Sequence, residues 1–594
     1  LIAAVLFAAL ASRSALATEE VAVPKAVLAA QADRVATIER ISRPTIAIFD
    51  RKGQGGGSGV LISPDGYAVT NYHVTAPCGP AMRCGLSDGR FLDAVLVGLD
   101  PGGDVALIKV LGSDEAAFPA AEFGDSDAVR VGDWVYVAGN PFLLADDFKP
   151  SISYGIISGV RRYQYPAGTL LEYTDCLQTD AAVNPGNSGG PLFDSAGRLI
   201  GINGRCSFEK RGRVNVGVGY SVSINQVKRF TSHLMSGRLV DHASLGAIVS
   251  TDSDGRVVVD DILEDSDAYR RGLRYGDEIV RFGGRDISTA NALKNMLGTY
   301  PQGWRVPVVF RRDGKEHERL IRLSGVHREG ELAAMLEGGR EEPKPELPER
   351  PDKPPSPEPR KATKPRPKKA ADLPDEVQKL YESRTGYANY WFNRYELQRV
   401  WNNYLSHGDF AGTGWNWNIR GKNEAGGKVE IVLSEDHSSI VTPVGKSEAE
   451  FTMSLSDTLS PPRSGGLLAT LHLWQRLVLI GPRQFGDVYY LGTLPFPTEQ
   501  QLADCLVAIY GGVETRFYFD PAMGDLVGVE MQSADDQDPC EIYFSDFRLV
   551  EGRRLPHRWV IRHGDESFAD LRISSYEWPS TIDPSAADPE ARAR

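Results

Sequence analysis

The chain is short of the residues from which metal and cofactor sites are usually built. Its 594 residues hold six cysteines, ten histidines and seven methionines. The cysteine spacings match no zinc-ligand pattern, so no metal centre is expected, and no cofactor motif takes its place. Positive charge is also lacking: 66 basic residues face 79 acidic ones, a formal net charge of −13. A nucleic-acid binder would need a basic face, so that class is excluded. Long apolar runs are absent after the first residues. No later stretch reaches the roughly 18 uncharged apolar residues of a membrane helix.

What is present begins with an apolar run, Leu1 to Ala11, followed by Ala15-Leu16-Ala17. A small-x-small site after such a run reads as a secretory signal over residues 1–17. Export to an oxidising compartment follows. In that setting six cysteines can pair in fifteen ways. Local pairing is expected: Cys78 with Cys84, Cys176 with Cys206, and Cys505 with Cys540.

The chain then divides by pattern. Residues 18–43 are an N-terminal segment, with Val27, Leu28, Ala32, Val35 and Ile38 on a rough helical period that Pro44 ends. Residues 44–235 carry evenly spaced short β runs, such as Thr45–Phe49, Ala94–Leu99 and Ala106–Val110, with Gly and Asp turns. That spacing predicts a β-barrel arrangement. Residues 243–325 mix four strand-like runs with two short helical stretches, a compact α+β unit. Residues 341–371, rich in Pro and charge, read as an extended linker. Residues 375–580 open on an aromatic helical stretch and continue as an antiparallel β-meander.

One stretch concentrates chemistry: Asn184-Pro185-Gly186-Asn187-Ser188-Gly189-Gly190. Glycines at this density allow a tight turn that lifts a serine hydroxyl outward while backbone N–H groups converge. A serine hydroxyl needs a base to take its proton and an acid to orient that base. In the barrel region before Ser188 the one histidine is His73, at the end of Ala68-Val69-Thr70-Asn71-Tyr72-His73. The acid candidate is Asp104, which opens the apolar strand Val105-Ala106-Leu107-Ile108. Asp93 and Asp100 compete; Asp100 precedes a proline turn and is expected to be solvated.

The order His, Asp, Ser with these flanks resembles the trypsin-like double β-barrel proteases of the HtrA (DegP/DegQ-type) family. Gly57-Ser58-Gly59-Val60-Leu61, Thr70-Asn71-Tyr72-His73-Val74, Asp104-Val105-Ala106-Leu107 and Gln178-Thr179-Asp180-Ala181 through Pro191-Leu192 carry the likeness. It implies His73 as general base, Asp104 as its orienting acid and Ser188 as nucleophile. The Gly186 and Ser188 N–H groups would form the oxyanion hole, with Asn187 shaping the turn. The pocket for the residue before the cut would draw on Ala182, Ile202, Asn203 and Gly204. Relatives that cut after Lys or Arg have an acid where Ala182 stands, so small aliphatic residues are expected there. The family usually carries threonine at the position of Gly204.

Leu245-Gly246-Ala247-Ile248, with Ala268…Gly272-Leu273…Gly276-Asp277, resembles a PDZ domain, whose carboxylate loop receives C-terminal peptides. The C-terminal part is similar to the half-barrel of periplasmic lipoprotein carriers (LolA type), by fold-level analogy alone. The resemblance implies an exported, periplasmic endopeptidase acting on unfolded or mislocalised proteins. It also implies homotrimers, while the short segment Arg51–Gly57 argues against caged assembly. The competing readings are a chaperone-like binding protein and a lipid- or lipoprotein-handling factor with a fused protease.

Overall fold

A computed structural model describes residues 23–53, 56–112, 117–141, 147–165, 171–208, 215–328, 330–337, 373–451, 454–496, 498 and 501–578. The signal segment 1–17 and the linker 341–371 lie outside the described residues. A helix, Lys25–Ser42, precedes the first strand and buries Thr37 and Ile41 near its end.

Two closed six-stranded barrels follow. The first consists of β1 (Thr45–Phe49), β2 (Gly56–Leu61), β3 (Tyr67–Thr70), β4 (Ala81–Leu86), β5 (Phe91–Asp100) and β6 (Val105–Val110), in the order β1-β2-β3-β6-β5-β4. The second consists of β7 (Trp134–Gly139), β8 (Ser151–Gln164), β9 (Tyr173–Thr179), β10 (Pro191–Asp194), β11 (Leu199–Phe208) and β12 (Asn215–Ser223), in the order β10-β11-β12-β9-β8-β7. Closure leaves neither sheet an open edge. Helix Ile224–Met235 crosses back to the first barrel with Val227, Phe230 and Leu234 buried. It presses on β5 where that strand has Gly98; a Cβ there would stand 2.1 Å from the Leu234 carbonyl oxygen.

The next unit holds β13 (Ala243–Ser244), β14 (Ala247–Thr251), β15 (Val257–Ile262), β16 (Glu278–Phe282), β17 (Arg285–Asp286), β18 (Arg305–Arg312), β19 (Lys315–Arg322) and β20 (Ser324–Gly325). The main sheet runs β14-β15-β16-β18-β19, so β14 is an edge strand. Two helices, Asp267–Arg270 and Ala290–Leu297, complete it, each N-capped by a hydroxyl, from Ser266 and Thr289.

The C-terminal unit is one antiparallel sheet of eleven strands. They are β21 (Trp417–Asn423), β22 (Lys428–Leu433), β23 (His437–Thr442), β24 (Gly445–Glu450), β25 (Asp487–Pro495), β26 (Leu502–Tyr510), β27 (Val513–Phe519), β28 (Leu526–Gln532), β29 (Cys540–Val550), β30 (Arg553–His563) and β31 (Glu566–Glu577). The order is β24-β23-β22-β21-β31-β30-β29-β28-β27-β26-β25. One face holds helix Leu467–Phe485, with Trp474 edge-on to Trp417 and Trp559 at 5.4 and 5.5 Å. Strand alternation turns Leu506 and Ala508 to that face, and Cys505 and Val507 to the other, where they pack with Phe282, Trp304 and Val306. A helix of the same chain thus covers that face of the sheet. The space left near Tyr404 and Trp474 is about 10 Å³.

Two expected disulfides are absent. Cys78, Cys84, Cys505 and Cys540 all keep their thiols. Cys505 on β26 and Cys540 on β29 are separated by β27 and β28 and face opposite sides. Three strand spacings of about 4.8 Å far exceed a disulfide's span. The Cys78 thiol turns back to the Val74 carbonyl at 3.4 Å instead of reaching Cys84. Cys176 is likewise unbridged, and the side chain of its expected partner Cys206 lies outside the described residues.

Candidate active site

The two barrels meet where the Ser188 turn packs on β2 and on the end of β3, the strand that leads to His73 and its partner Asp104. β3 ends at Thr70, and His73 sits in the short helix Tyr72–Thr75 just past it. Its neighbour β6, paired through Thr70 with Ala106, begins one residue after Asp104. Asp104 is fully buried and holds a left-handed φ of 59°. Such an angle costs an L-residue free energy, and here the surroundings enforce it. The Asp104 carbonyl accepts from Asn71 Nδ2 at 2.8 Å and from the Tyr72 N–H at 3.3 Å.

The Asp104 carboxylate meets three donors. Oδ1 accepts from the His73 N–H at 2.9 Å. Oδ2 accepts from His73 Nδ1 at 2.7 Å and also from the Tyr173 hydroxyl. With Nδ1 held as the donor, His73 Nε2 is left as the basic nitrogen. Burial alone would push the His73 pKa down, but the hydrogen bond and charge of Asp104 outweigh it and raise the pKa above the ordinary imidazole value.

Ser188 lies in a turn whose backbone is almost fully committed. Gly186 has φ +100° and Gly189 φ +82°. A Cβ at Gly189 would stand 2.1 Å from Thr70 Oγ1 and 2.2 Å from the Ser58 carbonyl, so side chains are excluded there by space as well as angle. The Ser58 hydroxyl donates to the Gly186 carbonyl at 2.6 Å and accepts from the Asn140 N–H at 2.9 Å. Ser58 N–H donates to the Ser188 carbonyl at 2.8 Å, and Gly189 N–H to the Asn203 carbonyl at 2.7 Å. Asn187 N–H closes a turn onto the Asn184 carbonyl at 2.9 Å. The N–H groups of Gly186 and Ser188 donate to none of the described residues. The Ser188 hydroxyl donates to the Gly204 carbonyl at 3.2 Å and not to His73.

The other residues singled out by sequence fall into two groups. Ala182 is exposed near this turn, and its carbonyl accepts from Asn187 Nδ2 at 3.4 Å. Gly204 lies against the ring of Tyr173. Ile202 and Asn203, by contrast, are fully buried. Ile202 packs in the core, and the Asn203 amide binds the Pro191 carbonyl and the Ser221 hydroxyl, each at 2.9 Å. They carry the segment instead of opening onto it. Of the competing acids, Asp100 is fully buried and bonded to His242 Nε2 at 2.8 Å, contrary to the solvated position expected of it. The Asp100-Pro101 turn is covered by the following unit. Asp93 faces Arg83 at 3.7 Å, and the acid on the His73 ring is Asp104.

Sequence reasoning missed Tyr173 and Ser58. A signal for Tyr173 was available in Gly204: a Cβ at Gly204 would come within 2.6 Å of the Tyr173 ring and hydroxyl. The glycine makes room for the phenol that reaches Asp104. Two residues on, Asp175 has φ +48° and gives its N–H to Asn295 Oδ1 at 2.9 Å, and its carboxylate binds Arg285 at 2.8 Å. Both partners belong to the unit after the barrels. In that unit Gly246 has φ +71°, Leu245 is buried, and Ala247 and Ile248 begin edge strand β14, with Ile248 exposed.

Residues 57–202 match the family model of the trypsin-like peptidase domain, and the paired barrels are the fold of that class. The chain is similar to the periplasmic serine endoprotease DegP of Escherichia coli strain K12, 36% identical over 293 residues, 45% of this chain and 59% of that protein. It is also similar to a probable periplasmic serine endoprotease, DegP-like, of Chlamydia trachomatis serovar D, 33% identical over 294 residues, 48% of this chain and 56% of the relative. The chain spans less than two thirds of the length of these curated relatives. Among solved structures, the HtrA-type protease AlgW with tripeptide is 31% identical, covering 49% of this chain and 96% of that one, with a TM-score of 0.40.

Proposed function

We propose that the chain is an exported, periplasmic serine endopeptidase of the HtrA type that degrades unfolded or mislocalised proteins. The observation that carries this reading is the 2.7 Å bond from His73 Nδ1 to Asp104, set beside a serine turn with two uncommitted N–H groups. In the proposed reaction His73 Nε2 takes the Ser188 proton as the hydroxyl oxygen attacks the scissile carbonyl. Asp104 stabilises the resulting imidazolium, and the Gly186 and Ser188 N–H groups receive the oxyanion. His73 then gives the proton to the leaving amine, and water repeats the sequence to release the acyl group. The Ser188 hydroxyl must first leave the Gly204 carbonyl and turn to His73 Nε2.

Exposed, neutral Ala182 in the place of an acid favours Val or Ala before the cut over Lys or Arg. A profile of cleaved peptides dominated by Lys or Arg would refute that specificity. The unit 243–325 acts in this reading as a PDZ domain, adding a C-terminal peptide along edge strand β14 beside helix Ala290–Leu297. The exposed side chains Val27, Leu28 and Val35 on helix Lys25–Ser42 offer a surface for the homotrimer that the resemblance implies. Light scattering of the eluted protein tests that assembly. Casein digestion tests the activity itself: the wild type degrades it and Ser188→Ala does not. Casein left intact by both would favour the holding-protein reading, and equal digestion by both would remove Ser188 as the nucleophile.

A further inference from the structure

A cavity of about 500 Å³ lies where the first barrel, helix Ile224–Met235 and the C-terminal unit meet. That volume is within the range of small-molecule sites. Five aromatic rings line it: Tyr67 from β3, Trp391, Phe392 and Tyr395 from helix Tyr390–Leu405, and Tyr490 from β25. Trp391 and Tyr395 stack at 5.3 Å with their planes 12° apart, and Tyr395 is half exposed.

The charges among the lining residues do not balance. Asp65 and Lys109 pair at 2.7 Å. Arg399 places both Nη atoms on the Asp504 carboxylate, each at 3.0 Å, and the Tyr490 hydroxyl adds a bond to Asp504 at 2.8 Å. That leaves Glu396, which is 3% exposed. Its Oε2 shares Arg399 through Nε at 2.6 Å, while Oε1 accepts from none of the described residues. Three carboxylates therefore face two cations, and the surplus sits on a buried group with a vacant oxygen. Burial pushes the Glu396 carboxyl up, and Arg399 only partly opposes this, consistent with a site short of one positive charge. A buried carboxylate in apolar surroundings is costly unless a cation joins it. Aromatic faces attract cations as well. An anion would meet three carboxylates with both bases already engaged.

We propose that this cavity binds an organic cation, a protonated amine on a flat or apolar body, with the ammonium on Glu396 Oε1 and the body against Trp391 and Tyr395. A free small amine and a lysine side chain offer the same chemistry. Calorimetric titration of the full chain separates them, with 2-phenylethylamine as one probe and an acetylated, amidated Gly-Lys-Gly peptide as the other. The expected result is saturable one-to-one binding of at least one probe, weakened about tenfold or more in Glu396→Gln. For the small amine, the neutral analogue 2-phenylethanol should bind at least about tenfold more weakly. Tyr395→Ala, at the exposed end of the site, leaves the Glu396–Arg399–Asp504 cluster intact and should weaken binding severalfold; thermal melting confirms that each variant is folded. Failure of both probes to saturate, or equal affinity in wild type and a folded Glu396→Gln, overturns the proposal. Neither readout depends on proteolysis, so this site and the peptidase assignment stand or fall separately.

Discussion

At the scale of single residues, Tyr173 is the informative case. Its hydroxyl donates to the same Asp104 oxygen that receives His73 Nδ1. The bond spreads the negative charge of Asp104 and fixes the carboxylate plane. Tyr173→Phe removes it without changing the ring. A hydrogen bond of this kind contributes about 0.5–1.5 kcal/mol, so kcat should fall about two- to tenfold with KM little changed. The pH profile distinguishes this from a packing defect. His73 must be neutral to act as a base, so activity is lost as pH falls through its pKa. Asp104 raises that pKa, which places the acid limb of kcat/KM above the unperturbed imidazole value of about 6.5. Without the phenol, the full charge of Asp104 acts on His73, and the limb should move higher still. A limb below about pH 6 in the wild type would contradict His73 as the base. Gly204→Thr should damage the site, because the new Cβ would be driven into the Tyr173 ring.

At the scale of elements, His242 joins the first barrel to the unit that follows the barrels. His242, just before β13, gives Nε2–H to Asp100 of the first barrel at 2.8 Å and Nδ1–H to the Gly298 carbonyl at 2.7 Å. Two acceptors require both ring nitrogens to be protonated. Burial lowers its pKa, but the Asp100 charge and both hydrogen bonds outweigh that and raise it to about 8. The folded pKa therefore lies above the unfolded value of about 6.5. The resulting stabilisation, about 2 kcal/mol, is complete below pH 6.5 and is lost as pH rises through 8. Urea unfolding should show His242→Gln least stable relative to wild type near pH 6, with the gap closing by pH 9. A gap independent of pH would mean that the ring serves packing alone.

This scale also explains what sequence could reveal. The runs Thr45–Phe49, Ala94–Leu99 and Ala106–Val110 were legible because apolar β-branched residues repeat there, and each is a strand. β4, β9 and β12 were not, since Arg83 and Gly85, Asp175, and Gly217 and Gly219 interrupt them. His73, Asp104 and Ser188 stood out through their local flanks. Tyr173 and His242 did not, because their partners are distant in sequence and only the fold supplies them. Helix Leu467–Phe485 was missed for a different reason: it buries Thr470, His472 and Gln475 along with its apolar residues, and Gly481-Pro482 breaks it near its end.

At the scale of the whole molecule, the C-terminal unit is built against the first barrel instead of hanging from it. Leu373, Val377 and Phe392 belong to the same apolar cluster as Tyr67, Phe230 and Leu234. Asn393 is fully buried at the seam, where Nδ2 donates to the carbonyls of Ser236 and Tyr490, each at 2.8 Å, and Oδ1 accepts from the Tyr490 N–H at 3.2 Å. Asn389 does similar work, donating to the Leu96 carbonyl of β5 at 2.8 Å. A seam of this kind couples the units in unfolding, because separating them strands buried carbonyls and exposes the apolar cluster together. Asn393→Ala leaves those groups unpaired and should cost about 1–3 kcal/mol. If the units unfold as one, calorimetry will show a single transition moved to lower temperature. A first transition that shifts while a second stays fixed would mean that the seam holds two independently folding parts. Cutting the chain after residue 337 gives the stronger version of the same test. The remaining barrels would keep His73, Asp104 and Ser188 but lose the cover over Tyr67 and Phe230, and should bind a hydrophobic dye and melt lower than the full chain.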